Sequence, residues 1–558
     1  MGRSLSLQFL AAARMGGALL LSATTLVLAQ SAPTAAVRGP VAAADWPSYN
    51  RTVAGDRFSP LTEIDRSNVG GLRVICEYRL PEVTSLQTGP IVVDGMMYFT
   101  TDTISYAIDA GSCAEKWKQV RPSATPSYLG VNRGFAYMDG TLFRGTSDVH
   151  VIALDARDGH TIWDKPLEIQ GKGMSVPMAP IASGGRVFVG NAGGDIPGLT
   201  GHVYALDARD GNTIWRFDVV PDSGPVRATW RNAPGFPITG GGLWTSLTLD
   251  EPNGVLYVPA GNPAPDFEIS VRPGQNLYTS SLIALDATTG RVLAYNQLVP
   301  RDIHDWDVDT PPALITSRGG RMLVASSNKD GMLSVLDRKG LTRAAIAASG
   351  ARAGGAIGAE LPLLYQKPTT TRLNVDVPLS RDHPTKFCPG ILGGSEWNGA
   401  AFSPAANTIF AGAVDWCATA QLKKTPERGT PGQFWFGATK PSSELMDPKE
   451  AARGWVTAFD AENGAVRWKH QTPRPVLGGV TPTAGGIVFS GDVGGNVFAF
   501  DAETGRVLWQ TSTGQSTGGG VMTYSAGGHQ RLAIAAGMKS PLWPGATQSS
   551  RIIVYGLR

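Results

Sequence analysis

The sequence predicts an all-β fold, an eight-bladed β-propeller. Of 558 residues, 69 are Gly and 39 are Pro, and only 17% are charged, which suits many short strands joined by tight turns. A motif of Asp, then Gly, then Trp at four-residue steps recurs at Asp155-Gly159-Trp163, Asp207-Gly211-Trp215, Asp460-Gly464-Trp468 and Asp501-Gly505-Trp509. Weaker copies stand at Asp109 with Trp117, at Asp286 with Gly290 and at Asp337. Most neighbouring copies lie roughly 40–50 residues apart, the period of a fold that adds one small sheet at a time.

Each copy reads as one strand ending at Asp, a turn through Gly, and a next strand that begins near the Trp. The Trp is then expected to pack between neighbouring blades. Two intervals break the period. The gap from Asp207 to Asp286 holds a surplus that includes Gly261 to Asn276, and the gap from Asp337 to Asp460 has room for two further units. In the second gap, Trp397 to Phe402 and Thr408 to Val414 read as strands of a hidden blade, which with the seven visible copies gives eight. The last apolar run, Arg551 to Tyr555, is expected to close the ring against the chain's first strands, leaving no free sheet edge.

Arg3 and Arg14, the apolar run Gly16 to Ala29, and small residues at Val27 and Ala29 read as a secretory signal peptide over residues 1–29. That leaves 30–558 as a single propeller domain in the periplasm. The run is too short to span a membrane, and no later stretch approaches the ~18 apolar residues a span needs. No Cys follows it to take a lipid. A net charge of +3 marks no nucleic-acid partner. Four cysteines, Cys76, Cys113, Cys388 and Cys417, fit an oxidising compartment. They allow three pairings, of which near neighbours favour Cys76–Cys113 and Cys388–Cys417. None stands in a CxxC or CxxCH arrangement, which disfavours zinc and attached haem.

The stretch from Gly261 to Asp309 is the least like a repeat. It contains the Pro-locked loop Gly261-Asn262-Pro263-Ala264-Pro265, then Arg272-Pro273-Gly274-Gln275-Asn276, and ends in His304-Asp305-Trp306-Asp307-Val308-Asp309. On an extended chain Asp305, Asp307 and Asp309 share one face. Like charges held that close repel unless a cation or a proton sits among them.

With these motifs, and with Gly130-Val131-Asn132-Arg133-Gly134 and Gly393-Gly394-Ser395-Glu396-Trp397-Asn398, nearly the whole mature chain resembles the pyrroloquinoline quinone (PQQ)-dependent alcohol dehydrogenases. The resemblance implies PQQ and a metal ion on the propeller axis. It assigns Trp244 as the stacking floor, and Arg133, Lys329, Gln87, Trp397 and Asn398 as cofactor contacts. Gly193 and Gly194 would let backbone approach the ring. Asp195 and Asn262 would hold the metal, joined by Asp307 and Asp309. Asp195 stands where many relatives have Glu, and Gln87 where they often have Glu. Oxygen ligands of this kind select a hard cation, calcium first, with a lanthanide as the alternative that Asp309 raises. Asp307 would be the general base as hydride passes from an alcohol to PQQ. Relatives often place two adjacent Cys before the Gly-Val-Asn-Arg motif, and Pro122 to Leu129 has none. With no fused cytochrome in the sequence, electrons are expected to leave to a separate carrier, a c-type cytochrome. Two alternatives stand beside this reading: a related sugar or aldehyde dehydrogenase, and a non-catalytic propeller scaffold of the outer-membrane assembly type. The Lys-, Pro- and aromatic-rich segment from Gln421 to Glu450 is a candidate lid.

Overall fold

The computed structural model describes residues 41–123, 129–348, 357–545 and 547–557. The signal-peptide segment lies outside them, as do residues 124–128 of the stretch that lacks adjacent cysteines. Among the described residues eight sheets of at least four strands follow one another around a ring, antiparallel except for Ala359–Glu360, a fifth strand that pairs parallel at the edge of the Asp286 blade. The first is Ile91–Val93, Met96–Thr100, Ile104–Asp109 and Glu115–Val120. The next six follow in chain order, one for each remaining Asp copy. The ring closes where Arg73–Arg79 from the start of the chain pairs with Arg551–Gly556 from its end, beside Thr517–Ala526 and His529–Ala536. Among the described residues no α-helix exceeds the six residues of Arg343–Ala348, and none is long and apolar enough to cross a membrane.

The repeat motif explains how blades dock. Trp117 Nε1 donates to Ala156 O at 3.0 Å, Trp163 to Ala208 O at 3.0 Å, Trp215 to Ala287 O at 3.2 Å, and Trp468 to Ala502 O at 3.0 Å. Each Trp thus reaches the turn of the following blade. A Cβ on Gly159 would stand 2.6 Å from Trp117 Cε3, and Gly159 has φ +77°, so the position excludes a side chain twice over. In the Asp109 copy, which lacks the Gly, Cys113 takes the left-handed conformation instead, at φ 61°. The Asp337 blade has no Trp, and Tyr365 substitutes for it, its hydroxyl donating to Ala461 O at 2.9 Å.

The count of eight holds, but the eighth blade is not the hidden one. Ala401–Ser403 and Thr408–Asp415 are the first two strands of the Asp460 blade, which Arg453–Asp460 and Val466–Thr472 complete. The seven visible copies are seven blades, and the eighth is the sheet shared by the two ends of the chain. A repeat motif that marks only third and fourth strands cannot reveal which blade an upstream pair joins. Both near-neighbour disulfides form, Cys76–Cys113 and Cys388–Cys417. The first ties the closing blade to its neighbour in the ring.

Candidate active site

Antiparallel order puts the start of a blade's first strand at the same end as the loop joining its second and third. The Asp-Gly turns between third and fourth strands lie at the other end. Gln87, Arg133, Trp244, residues 305–309, Trp397 and Asn398 all precede first strands, while Asp195, Asn262 and Lys329 lie in second-to-third loops. Seven of the eight blade topologies are local, so these residues share one face without any long crossover. The surplus Gly261–Asn276 is an insertion in such a loop, between Val255–Ala260 and Ser281–Asp286.

Asp307 is buried and doubly held. Its Oδ1 accepts the Asn262 N–H at 2.8 Å and its Oδ2 accepts from Lys329 Nζ at 3.0 Å. A Cβ at residue 261 would come within 2.6 Å of Asp307 Oδ1, so only Gly261 admits the carboxylate this close. Lys329 also donates to Asp305 Oδ1 at 3.1 Å. Burial works against the ammonium, but Asp305, Asp307, Glu396 and Asp309 together hold its pKa well above the ordinary lysine value. The three carboxylates do not lie along an extended strand: Asp305 has φ 63° and no regular strand covers the segment. Asp305 and Asp307 converge on Lys329 through a turn, and Asp309 does not bond it.

Four more carboxylates surround Asp305 and Asp307, three of them buried and Asp195 half-buried. Asp309 is 2% exposed and neither of its oxygens has a partner; burial, then Glu396 and Asp307, push its pKa well up. Burial, with Asp307 beside it, raises Asp195 to about 7, and burial raises Glu396 to about 8. Asp266 is fully buried, with Oδ1 accepting from Asn262 Nδ2 at 3.0 Å and Oδ2 unpartnered. Asp195, Asp266 and Asp305 bring carboxylate oxygens within 4.8 Å of one another. Among the described residues six carboxylates therefore face three cations, Lys329, Arg133 and Arg272, and the site calls for more positive charge.

Arg133 is buried between two indoles, its guanidinium carbon 4.9 Å from the Trp244 ring centre and 5.0 Å from that of Trp397. It donates to Trp244 O at 2.9 Å and to Gln87 Oε1 at 3.0 Å, and its Nε has no acceptor. Burial lowers its pKa to about 10. Trp397 Nε1 is fixed by Gly518 O at 2.7 Å, and Asn398 Oδ1 accepts from the Tyr49 hydroxyl at 2.9 Å. The space a Cβ on Gly194 would take is filled by Gly242 N at 2.5 Å, and Gly193 lies against Met174. What these two glycines approach is other backbone of the chain. The unpaired carboxylate oxygens and the excess of negative charge fit a metal ion, and the unpaired Arg133 N–H fits an anionic group of a cofactor.

Asp266, Asp305 and Glu396 lie with the predicted residues in this cluster, and sequence reasoning did not assign them. Asp266 follows directly on the Pro-locked loop and precedes a buried Phe267, and a carboxylate in that setting was the available signal. Trp435 of the 421–450 segment donates its N–H to Asp195 O at 2.8 Å and accepts from the Asp266 N–H at 3.2 Å. The Phe267 N–H donates to Phe436 O at 3.0 Å. The segment is thus seated on both carboxylate-bearing loops.

Residues 46–340 match the family model described as glucose/ethanol/alcohol dehydrogenase, β-propeller domain, for PQQ proteins. Residues 452–536 match that of the outer membrane protein assembly factor BamB. The chain is 29% identical to the quinohemoprotein alcohol dehydrogenase ADH IIB of Pseudomonas putida, over 97% of this chain and 81% of that protein. It is 30% identical to the dehydrogenase subunit of the quinone alcohol dehydrogenase of Gluconacetobacter polyoxogenes, over 88% of this chain and 71% of that protein. Among solved structures it superposes on the quinohemoprotein alcohol dehydrogenase ADHIIG of P. putida HK5 with a TM-score of 0.78 at 25% identity, covering 92% of this chain and 80% of that one. The chain belongs to the PQQ-dependent alcohol dehydrogenase family of eight-bladed propellers.

Proposed function

We propose that the protein oxidises an alcohol to an aldehyde or ketone, using PQQ and a metal ion, calcium first. The observation that carries the reading is the convergence of Asp307, Lys329, Asn262, Asp195 and Arg133, from four blades, at one acidic site. Bound PQQ supplies the two-electron oxidation, and the ion beside it supplies Lewis acidity. The protein's own residues do the rest. Asp307 takes the hydroxyl proton at a carboxylate oxygen, and the Asn262 N–H and Lys329 hold that carboxylate in place. Trp244 offers a ring face for stacking. Arg133, Gln87, Trp397 and Asn398 define the pocket's polar edge, and Gly193 and Gly194 permit the close loop packing around it. The family resemblance assigns the ion to Asp195, Asn262, Asp307 and Asp309, and of these the Asn262 N–H and Asp307 are in direct contact. The 421–450 segment, paired to the Asp195 and Asp266 loops, excludes water from above.

Electrons then leave to a separate acceptor, a c-type cytochrome. All four cysteines are committed to disulfides, so none of them attaches haem. The two disulfides support an exported, periplasmic protein. The assembly-factor match covers only residues 452–536, whereas the site residues fall between Gln87 and Asn398, which favours the enzyme over the scaffold. The family's own description spans glucose and alcohols, and that range keeps a sugar substrate as the second reading. The test is to reconstitute purified protein with PQQ and calcium and to screen alcohols, sugars and aldehydes with an artificial electron acceptor. Turnover of alcohols supports the proposal, and turnover of sugars alone replaces it.

A further inference from the structure

We propose that Asp266 and Asp305 are metal ligands, which with Asp195 form a three-carboxylate site for one hard, oxygen-seeking cation. The inference rests on the reading of this face as a metal site and changes which residues do the holding. One carboxylate oxygen from each residue lies within 4.8 Å of the other two. Oxygens so spaced can all stand about 2.3–2.6 Å from a single central calcium. Asp266 gives the independent indication of a ligand. Its side chain is fully buried, and its Oδ2 has no hydrogen-bond partner at all. A buried, unsatisfied carboxylate oxygen beside two other carboxylates is unfavourable unless a cation or proton joins it.

The surrounding contacts agree. Asn262 turns its amide nitrogen toward Asp266 Oδ1, at 3.0 Å, and the same side chain favours the ionised form of Asp195. In this geometry Asn262 donates to one of the three carboxylates and is a positioning residue for it. Asp305 accepts Lys329 at one oxygen, Oδ1, which leaves the other for an ion. The loops that carry Asp195 and Asp266 are bound to one another through Trp435, whose N–H and C=O engage Asp195 O and the Asp266 N–H. That strap fixes the distance between two of the three ligands.

The test is metal binding to the purified, chelator-stripped full chain, with and without PQQ. Calcium is titrated by calorimetry and terbium by its luminescence. The expected result is one ion per chain in the parent, with affinity lowered at least ~10-fold in Asp266→Asn, as for loss of a metal-site group. Asp305→Asn should show the same loss and serves as the second variant. Thermal melts of the metal-free proteins supply the second readout. Removing one of three repelling carboxylates should raise the melting temperature of metal-free Asp266→Asn and shrink the upward shift that metal produces. Unchanged affinity in both variants, or no ion in the parent, overturns the proposal. So does a metal-free Asp266→Asn that melts lower while its metal affinity is intact, because that is the signature of a purely structural carboxylate. If metal binds as expected but no PQQ is taken up, the cofactor reading fails and the metal site stands.

Discussion

Lys329 donates to Asp307 at 3.0 Å while a second carboxylate, Asp305, holds the same ammonium at 3.1 Å. The lysine is the cation that bonds two of the cluster's carboxylates directly, so its loss should leave several buried charges uncompensated. Breaking a buried pair by removing one partner costs about 3–5 kcal/mol. Lys329→Met should lower the stability of the metal-free protein by about that amount, and added calcium should recover part of it. Denaturant unfolding with and without calcium checks this. A variant as stable as the parent would show that the carboxylates are protonated and need no counter-ion.

Blade docking gives a prediction independent of the site. Trp163 is buried, bonds Ala208 O and lies under Gly211, where a Cβ would stand 2.8 Å from its ring. Trp163→Ala should cost about 3–5 kcal/mol of folding stability. Gly211→Ala should also destabilise, through both the clash and a φ of +73°. Equilibrium unfolding monitored by Trp fluorescence measures both.

The repeat was legible because docking requires Trp and Gly at fixed offsets from Asp. The same rule hid the eighth blade, since the closing sheet carries no copy of the motif and is assembled from both ends of the chain. At the site, Asp307, Asn262 and Lys329 were legible as motif residues, and the structure brings them into contact. Asp266 and Glu396 were not, because their importance comes from burial and neighbours contributed by other blades. Asp305 was visible as a carboxylate, but nothing local showed that a left-handed turn would deliver it to Lys329.

Glu396 yields a pH prediction. Burial raises its pKa to about 8, from an ordinary value near 4.5. Below the ordinary value both folded and unfolded states carry the proton, and there is no penalty. Between that value and about 8 the unfolded chain ionises first, so folding stability falls as pH rises. Metal-free parent should therefore melt progressively lower from pH 5 to pH 8, and Glu396→Gln should flatten part of that slope. An unchanged slope in the variant would remove Glu396 as the source.

Asp309 separates the two metal hypotheses. Both of its oxygens are buried without partners, close to Asp307 and Glu396. If the site works with calcium alone, Asp309→Ala should keep most calcium-supported activity. If a lanthanide is the working ion, lanthanum should support more activity than calcium in the parent, and that advantage should vanish in Asp309→Ala. Rates in each metal, for each protein, decide it.

The central claim is that Asp307 is the general base, and turnover per bound PQQ in Asp307→Asn tests it most directly. Asparagine keeps the size and the contacts to Asn262 N–H but cannot take a proton at neutral pH. Loss of a general base costs ~10²–10⁴-fold in rate. The variant should fold, bind PQQ with its absorbance spectrum, and lose turnover by at least about 10²-fold. Full activity per bound cofactor would contradict the assignment.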